Sequence, residues 1–302
     1  MAFTGLFVPL ITPFSEDGEL AGDALEALSH RVLDEGATGI VALGTTGEPA
    51  TLTPPERQRV LEICSAVCAE RNAPLIVGAG SNSTAASIEE LRTSGRTASA
   101  ALVVVPYYTR PSEEGVIEHF RQLAAASPVP LVIYNIPYRT GRTLSAETLI
   151  RLAELPNVVG FKHAVGGIDE DTITFLSRVS SDVSVLAGDD LYAGPMLALG
   201  ASGGILASAN VAPRAYADLI AAWRTGALEN ARESAHRLVP LARALFAEPN
   251  PVVIKAVLAA QGRIPTADVR LPLLPSELAT DPAKLSQVPA LAEWLRPSLQ
   301  EA

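Results

Sequence analysis

The segment 158–163 places a lysine at the end of an apolar run. It reads Val-Val-Gly-Phe-Lys-His, and its β-branched and aromatic residues up to Lys162 predict a buried strand. Among the 23 lysines and arginines only Lys162, Lys255 and Lys284 are lysines. Removing an ammonium from water favours its uncharged form, and a free amine attacks carbonyl groups to form a Schiff base. The alternative is a lysine whose stem reaches past the strand end to solvent.

Further residues with chemical potential follow other apolar runs. The turn 44–48, Gly-Thr-Thr-Gly-Glu, carries the hydroxyls of Thr45 and Thr46 and offers free amides that suit a carboxylate. Turns of this composition are also common as purely structural features. Tyr108 and Tyr134 belong to a group of four tyrosines between positions 107 and 138, where interface packing is the alternative to catalysis.

Three more candidates lie at similar places. Arg139 follows the fifth apolar run and offers a guanidinium. Gly188 ends the seventh run, and Ile205 follows two glycines in the eighth, where a ligand can approach the backbone closely. No GxGxxG follows the first run, and no HExxH, Walker or Ser/His/Asp pattern is present. We therefore expect neither a metal nor a cofactor.

The apolar runs and the segments between them predict an α/β protein. The eight runs are continuous, as in parallel strands covered on both faces; they span 6–11, 38–43, 74–79, 100–105, 131–135, 158–162, 183–188 and 203–208. Helical periodicity separates them, with Thr53 and Ser145 as predicted helix starts. This alternation predicts a (β/α)8 TIM barrel, with a long doubly wound sheet as the alternative.

After about residue 212 the strand pattern stops. Helices are predicted over 213–225, 228–246 and 251–261, and a weaker one, interrupted by prolines, over 282–299. We therefore predict two units: 1–225 as a (β/α)8 catalytic barrel and 226–302 as a C-terminal helical domain packed on it.

Composition narrows the function classes. The chain has 302 residues, 48% of them hydrophobic and 19% charged, as in a globular protein. The net charge of −10 and the lack of a basic run argue against nucleic acid as a partner. Neither a signal peptide nor a run long enough to cross a membrane is visible, so we expect a cytoplasmic protein that does not contact membranes. Cys64 and Cys68, four residues apart, are expected to be buried thiols on a helix face.

The C-terminal ends of barrel strands meet at one face, so the candidates are predicted to share a site. An amine, hydroxyls, an anion-binding turn and an arginine together indicate amine catalysis on a small keto acid. Strand alternation points His163 away from Lys162, into the helix layer.

With these motifs the chain resembles the dihydrodipicolinate synthase / N-acetylneuraminate lyase family of class I aldolases. The resemblance runs nearly end to end, and its most specific parts are the 44–48 turn and the strand-end Lys162. It implies a (β/α)8 barrel with C-terminal helices, usually assembled as a homotetramer.

The resemblance also implies roles for the residues. Lys162 would form the Schiff base with pyruvate, Tyr134 would shuttle protons, and Thr45 would link it to Tyr108 of a neighbouring subunit. The amides of Thr45 and Thr46 would hold the pyruvate carboxylate.

The remaining implied roles concern the substrates. Ile205 would line the site through its backbone, and Gly188 is expected near the substrate. Arg139, in Tyr-Arg-Thr-Gly, matches the arginine that pairs with the carboxylate of aspartate semialdehyde. The resemblance therefore favours condensation of pyruvate with this aldehyde, on the route to lysine.

Some residues depart from the usual synthase pattern: His163 follows the lysine, Pro49 follows the turn, and Tyr138 is bulky. They keep open a related aldolase or hydro-lyase that acts on another 2-keto acid. A catalytically silent barrel that binds a keto acid is a more remote alternative, against which the intact lysine argues. Pro54 and Arg57 stand where some synthases place ligands for inhibitory lysine, as does a residue near Ala86, so we expect no inhibition of that type.

Overall fold

The computed structural model describes residues 3–94, 98–280 and 282–295. Within these residues eight parallel strands close into a barrel in which each strand pairs with the next and β8 pairs with β1. The strands are β1 (Gly5–Pro9), β2 (Gly39–Ala42), β3 (Leu75–Ala79), β4 (Ala100–Val104), β5 (Leu131–Asn135), β6 (Val158–His163), β7 (Ser184–Ala187) and β8 (Gly203–Ile205). The predicted (β/α)8 barrel is confirmed, and the doubly wound sheet is excluded.

Helices connect the strands and form the C-terminal region. In chain order they are α1 (Gly22–Asp34), α2 (Pro54–Glu70), α3 (Thr84–Ser94), α4 (Glu113–Ala126), α5 (Pro137–Thr140), α6 (Ala146–Ala153), α7 (Glu170–Arg178), α8 (Ala193–Ala198), α9 (Pro213–Thr225), α10 (Leu228–Leu245), α11 (Val252–Ala260), α12 (Pro282–Ser286) and α13 (Pro289–Ala292). Both predicted helix starts are confirmed. Thr53 caps α2 in a reciprocal capping box with Glu56, and the Ser145 hydroxyl accepts a hydrogen bond from the Thr148 amide.

The two faces of each strand serve two different cores. Phe161 of β6 packs against Phe175 of α7, with ring centroids 5.0 Å apart, in the layer between barrel and helices. Inside the barrel a second cluster includes Phe7, Tyr134 and Ile205. Because side chains alternate along a strand, a residue next to Phe161 faces this interior.

The C-terminal helices pack directly on the barrel. α10 lies against α8, α9 and α11. The predicted boundary between residues 225 and 226 coincides with the turn between α9 and α10; the division into two domains stays a prediction. The proline interruption predicted for 282–299 is seen in the described residues, where Pro289 begins a new helix, α13, after α12 has ended. Residues 281 and 296–302 of the predicted domain lie outside the described residues.

Two sequence-based expectations concern α2 and the membrane. Cys64 and Cys68 are free and buried on α2, and burial raises their thiol pKa values to about 12 and about 11. The prediction of buried helix-face thiols is confirmed. In the part of the chain that the structure describes, no helix combines the length and the apolar character needed to span a bilayer.

Candidate active site

Lys162 and Tyr134 lie side by side on neighbouring strands. Tyr134 of β5 and Lys162 of β6 are paired in register. The Lys162 Nζ lies 4.3 Å from the centroid of the Tyr134 ring, and the two residues are only 5% and 6% exposed. Parallel pairing thus places an amine and a phenol together near the C-terminal strand ends. The alternative of a solvent-reaching lysine does not fit this burial.

The glycine next to the neighbouring strand β7 leaves room for the Lys162 side chain. A Cβ placed on Gly188, directly after β7, would lie 2.9 Å from Cγ of Lys162. A larger residue there would therefore displace the lysine stem. Ile205 is fully buried in the barrel interior on β8. The structure places both residues in this part of the barrel, and their contact with substrate stays a prediction.

The Gly-Thr-Thr-Gly-Glu turn folds as a short 3₁₀ helix, Thr45–Gly47, directly after β2. The first amides of a helix have no acceptor within it, so those of Thr45 and Thr46 are suited to an external acceptor. Thr46 is buried, and its hydroxyl accepts a hydrogen bond from Asn250 Nδ2 at 3.0 Å. Glu48 ends the turn in the left-handed conformation, with φ of 53°.

A cavity of about 580 Å³ opens at the C-terminal end of the barrel, and Lys162, Gly188 and Ile205 are not among the described residues that line it. Thr45, Tyr134 and Arg139 contribute to its wall. Tyr134 lines the cavity and also contacts Lys162, so the lysine amine is separated from the cavity by one side chain. The predicted lysine, phenol, threonine and arginine are therefore brought together.

Among the described residues that line the cavity, one arginine differs from the others because it has no ion-pair partner. Arg57 forms an ion pair with Glu90, and Arg270 forms one with Glu56. Within the described residues, Arg139 is the arginine of this cavity that has no carboxylate partner; its guanidinium lies 5.5 Å from the centroid of the exposed Tyr138 ring. An unpaired guanidinium is available to a substrate carboxylate.

Tyr108 is not brought into this site by its own chain. Its side chain is 87% exposed, and φ is 68°. The described residues that line the cavity include Tyr107 and not Tyr108. The structure therefore does not bring Tyr108 into the site of its own chain, and its role in a neighbouring subunit stays a prediction.

His163 points into the helix layer, as strand alternation predicts. It is 3% exposed, its Nε2 lies 2.9 Å from the Thr172 hydroxyl, and its ring packs against Phe175. Burial lowers its pKa to about 4. His163, one of the departures from the usual synthase pattern, therefore faces α7 and not the barrel interior. Pro49, another departure, does line the cavity.

A buried carboxyl group, that of Asp190, interacts electrostatically with Lys162. The Asp190 side chain accepts a hydrogen bond from the Ser208 amide at 2.6 Å. Burial raises the pKa of Asp190 to about 6, and the charge of Lys162 opposes that rise.

Sequence reasoning missed the residues that hold the 44–48 turn from the C-terminal region. Glu48 Oε1 lies 2.5 Å from Lys255 Nζ on α11, and both side chains are almost fully buried. Asn250 contacts Thr46, as described above. One signal was available: Lys255 is a lone charge in the apolar run of α11, and a buried charge requires a partner.

The sequence and the fold match one family throughout. The model of the dihydrodipicolinate synthetase family matches residues 2–290. The chain belongs to this family. A 4-hydroxy-tetrahydrodipicolinate synthase of Methanothrix thermoacetophila is 41% identical over 277 residues, which cover 90% of this chain and 92% of that protein.

Two solved structures show the same likeness. Dihydrodipicolinate synthase from Thermotoga maritima superposes with a TM-score of 0.90 at 35% identity, covering 96% of this chain and all of that one. The chloride-inhibited dihydrodipicolinate synthase from Acinetobacter baumannii, complexed with pyruvate, has a TM-score of 0.89 at 36% identity and covers 95% and 99% of the two chains.

Proposed function

We propose that the protein is a 4-hydroxy-tetrahydrodipicolinate synthase, a lyase of the class I aldolase type that condenses pyruvate with aspartate semialdehyde. The observation that carries the proposal is the shared cavity. It is bounded by Tyr134, which contacts the buried amine of Lys162, and by the unpaired guanidinium of Arg139. Family membership and relatives that bear this name support the same activity.

The reaction begins at Lys162. Its amine attacks the keto carbon of pyruvate and water leaves, which gives an imine whose positive charge acidifies the pyruvate methyl group. Loss of a methyl proton gives an enamine. We assign the proton transfers of these steps to Tyr134, and the short distance of 4.3 Å between its ring centroid and the Lys162 amine supports that role. The amides of Thr45 and Thr46 hold the pyruvate carboxylate during these steps.

The second substrate completes the sequence. The enamine carbon attacks the aldehyde carbon and forms the new carbon–carbon bond. Arg139 pairs with the carboxylate of the aldehyde substrate, a task for which a planar guanidinium is suited. The amino group of the aldehyde substrate then replaces Lys162 at the imine carbon, which closes a ring and frees the enzyme.

We further propose that the working form is a homo-oligomer, a tetramer by the family resemblance. The exposed Tyr108 supports this proposal, because an aromatic side chain that is 87% exposed in one chain is accessible to a second copy of the chain. Thr45 would then link Tyr134 to the incoming Tyr108.

Borohydride trapping tests the proposed function. The protein is incubated with pyruvate and reduced, and the adduct is located by intact mass and peptide mapping; the experiment is then repeated with aspartate semialdehyde added before reduction. We expect a reduced pyruvyl adduct on Lys162 and not on the buried Lys255, and we expect its yield to fall when the semialdehyde is turned over. Lys162→Ala is the control that should give no adduct.

Two other outcomes would redirect the assignment. An adduct whose yield is indifferent to the semialdehyde would indicate a Schiff-base lyase that acts on another aldehyde or keto acid. Absence of any adduct in the wild-type protein would contradict the Schiff-base mechanism and favour a catalytically silent barrel.

A further inference from the structure

The C-terminal helical region makes polar contacts with the barrel at the turn that follows β2. A buried ion pair joins Lys255 of α11 to Glu48, the last residue of that turn, with 2.5 Å between Nζ and Oε1. The side chains of Lys255 and Glu48 are 0% and 2% exposed. The two residues are far apart in sequence, so this contact ties α11 directly to the turn.

Lys255 and Glu48 also form hydrogen bonds with backbone groups of the C-terminal region. The Lys255 ammonium donates to the Asp268 carbonyl at 2.7 Å and lies 4.0 Å from the centroid of the Phe14 ring. The second carboxylate oxygen of Glu48 accepts the Arg270 amide at 3.0 Å. Each charge is therefore met by polar partners as well as by the opposite charge, the condition under which a buried ion pair is tolerated.

The backbone at Glu48 is strained. Its φ of 53° and ψ of 40° lie in the left-handed region, which a residue with a Cβ adopts at a cost. Such conformations persist where the surroundings fix them, and they cluster at ligand-binding sites. Glu48 immediately follows Thr45–Gly47, so its backbone orientation sets the direction of the preceding amides.

Two more contacts fix the same turn. The Thr12 hydroxyl donates to the Gly47 carbonyl at 2.7 Å, and Asn250 Nδ2 donates to the Thr46 hydroxyl at 3.0 Å. The Thr12 and Asn250 side chains bind other atoms of the turn, so they leave the amides of Thr45 and Thr46 available to a ligand. The arrangement fixes the turn around the amides to which the keto-acid carboxylate is assigned.

We infer that the Glu48–Lys255 ion pair is a positioning device, through which the C-terminal helices hold the amides of Thr45 and Thr46 at the distance and angle that the pyruvate carboxylate requires. Glu48 contributes to the cavity wall and Lys255 does not, and both are assigned an action on the pyruvate carboxylate through the turn. The inference rests on the proposed function, because it needs a keto acid bound at Lys162. It assigns the C-terminal region a part in substrate affinity as well as in folding.

The test compares the wild type with a double variant, Glu48→Gln combined with Lys255→Met. Removing both charges avoids an unpaired buried charge, the main hazard of either single change. The carbonyl oxygen of the introduced glutamine side chain can still accept the hydrogen bond from the Arg270 amide. The measured quantity is the pyruvate concentration that gives half-maximal borohydride trapping, and pyruvamide, whose carboxamide replaces the carboxylate, is measured in parallel.

We expect the half-saturating pyruvate concentration to rise about tenfold, because a misplaced binding group weakens binding steeply with distance. Trapping at saturating pyruvate should stay within about threefold of wild type, since Lys162 and Tyr134 are untouched. Half-saturation by pyruvamide should stay within about twofold, because it lacks the charge that the amides recognise.

A matched control separates positioning from loss of stability. Leu245→Ala removes a fully buried side chain of α10 and weakens the C-terminal packing without touching the turn. It should lower the melting temperature and leave both half-saturating concentrations unchanged. Equal shifts for pyruvate and pyruvamide in the double variant, or no shift for either, would overturn the positioning role.

Failure of the proposed function gives a different result. If wild-type protein yields no pyruvate adduct, the Schiff-base mechanism and the inference fall together. If wild type is trapped by pyruvate and aspartate semialdehyde is not consumed, the assigned aldehyde is wrong. In that case the comparison of the double variant with wild type still decides whether the ion pair positions the turn.

Discussion

At the scale of single residues, Lys162 is the side chain on which the proposed chemistry depends. Lys162→Ala should lower turnover by at least about 10³-fold, because no other group can form the imine. The fold should change little, since the small cavity left beside Tyr134 adjoins a space that already reaches solvent. Steady-state kinetics and a melting curve measure both effects. Lys284→Ala removes an exposed lysine and serves as the control that should keep full activity; full activity in Lys162→Ala would contradict the Schiff base.

The proposed function assigns recognition of the second substrate to Arg139. Arg139→Ala should raise the KM for aspartate semialdehyde by about 10²-fold and change the KM for pyruvate by less than about threefold, because a charge-assisted bidentate pair is lost with one substrate only. Bisubstrate kinetics separate the two constants. Arg142→Ala is a matched control nearby, since Arg142 pairs with Glu113. Equal effects of Arg139→Ala on both KM values would count against its assigned role.

At the scale of elements, His163 joins β6 to α7. Its pKa is about 4 in the folded protein, below the ordinary value of 6.5, because burial disfavours its charged form. Since the folded pKa is depressed, the stability that the neutral ring contributes is complete above pH 6.5 and is lost as the pH falls towards 4. The loss amounts to ~3 kcal/mol over that window.

His163→Gln should therefore reduce the acid sensitivity of the fold. The free energy of unfolding, measured with denaturant at pH 7 and at pH 4.5, should fall less between the two values in the variant than in wild type. His119 is a second case, because burial lowers its pKa to about 4 as well; His119→Gln should act in the same direction. An unchanged pH dependence in both variants would show that these rings do not control acid stability.

The elements also show what the sequence could predict. Each strand was located to within two or three residues at either end, because an apolar run buried on both faces differs clearly from the amphipathic helices around it. Lys162 and Tyr134 were placed on one rim because strand ends of a parallel barrel gather there. The lone charge of Lys255 in an apolar run indicated a buried partner, but no local pattern pairs a residue of a turn with one of a distant helix, so the sequence could not identify Glu48 as that partner.

At the scale of the whole molecule, the absence of lysine inhibition is an expected property. Arg57 stands where the family resemblance places a ligand for lysine in some synthases, and its guanidinium is bound to Glu90. The other Glu90 oxygen accepts the Gly80 amide at 2.9 Å, so this carboxylate is already fully engaged. Initial rates should stay constant as L-lysine is titrated to millimolar concentration. A fall in activity over that range would refute the prediction.

The proposed assembly provides the last prediction, which concerns the role assigned to the exposed Tyr108 in the site of a neighbouring subunit. If it enters a neighbour's site, a mixed dimer of Lys162→Ala and Tyr108→Phe chains has one complete site, which combines the lysine of one chain with the tyrosine of the other. Each variant alone has none. Coexpression with two different tags allows the mixed dimer to be isolated, and it should show about half of the wild-type activity per dimer. If Tyr108 instead served its own chain, the mixed dimer would have no complete site and would show only the mean of the two weak parents.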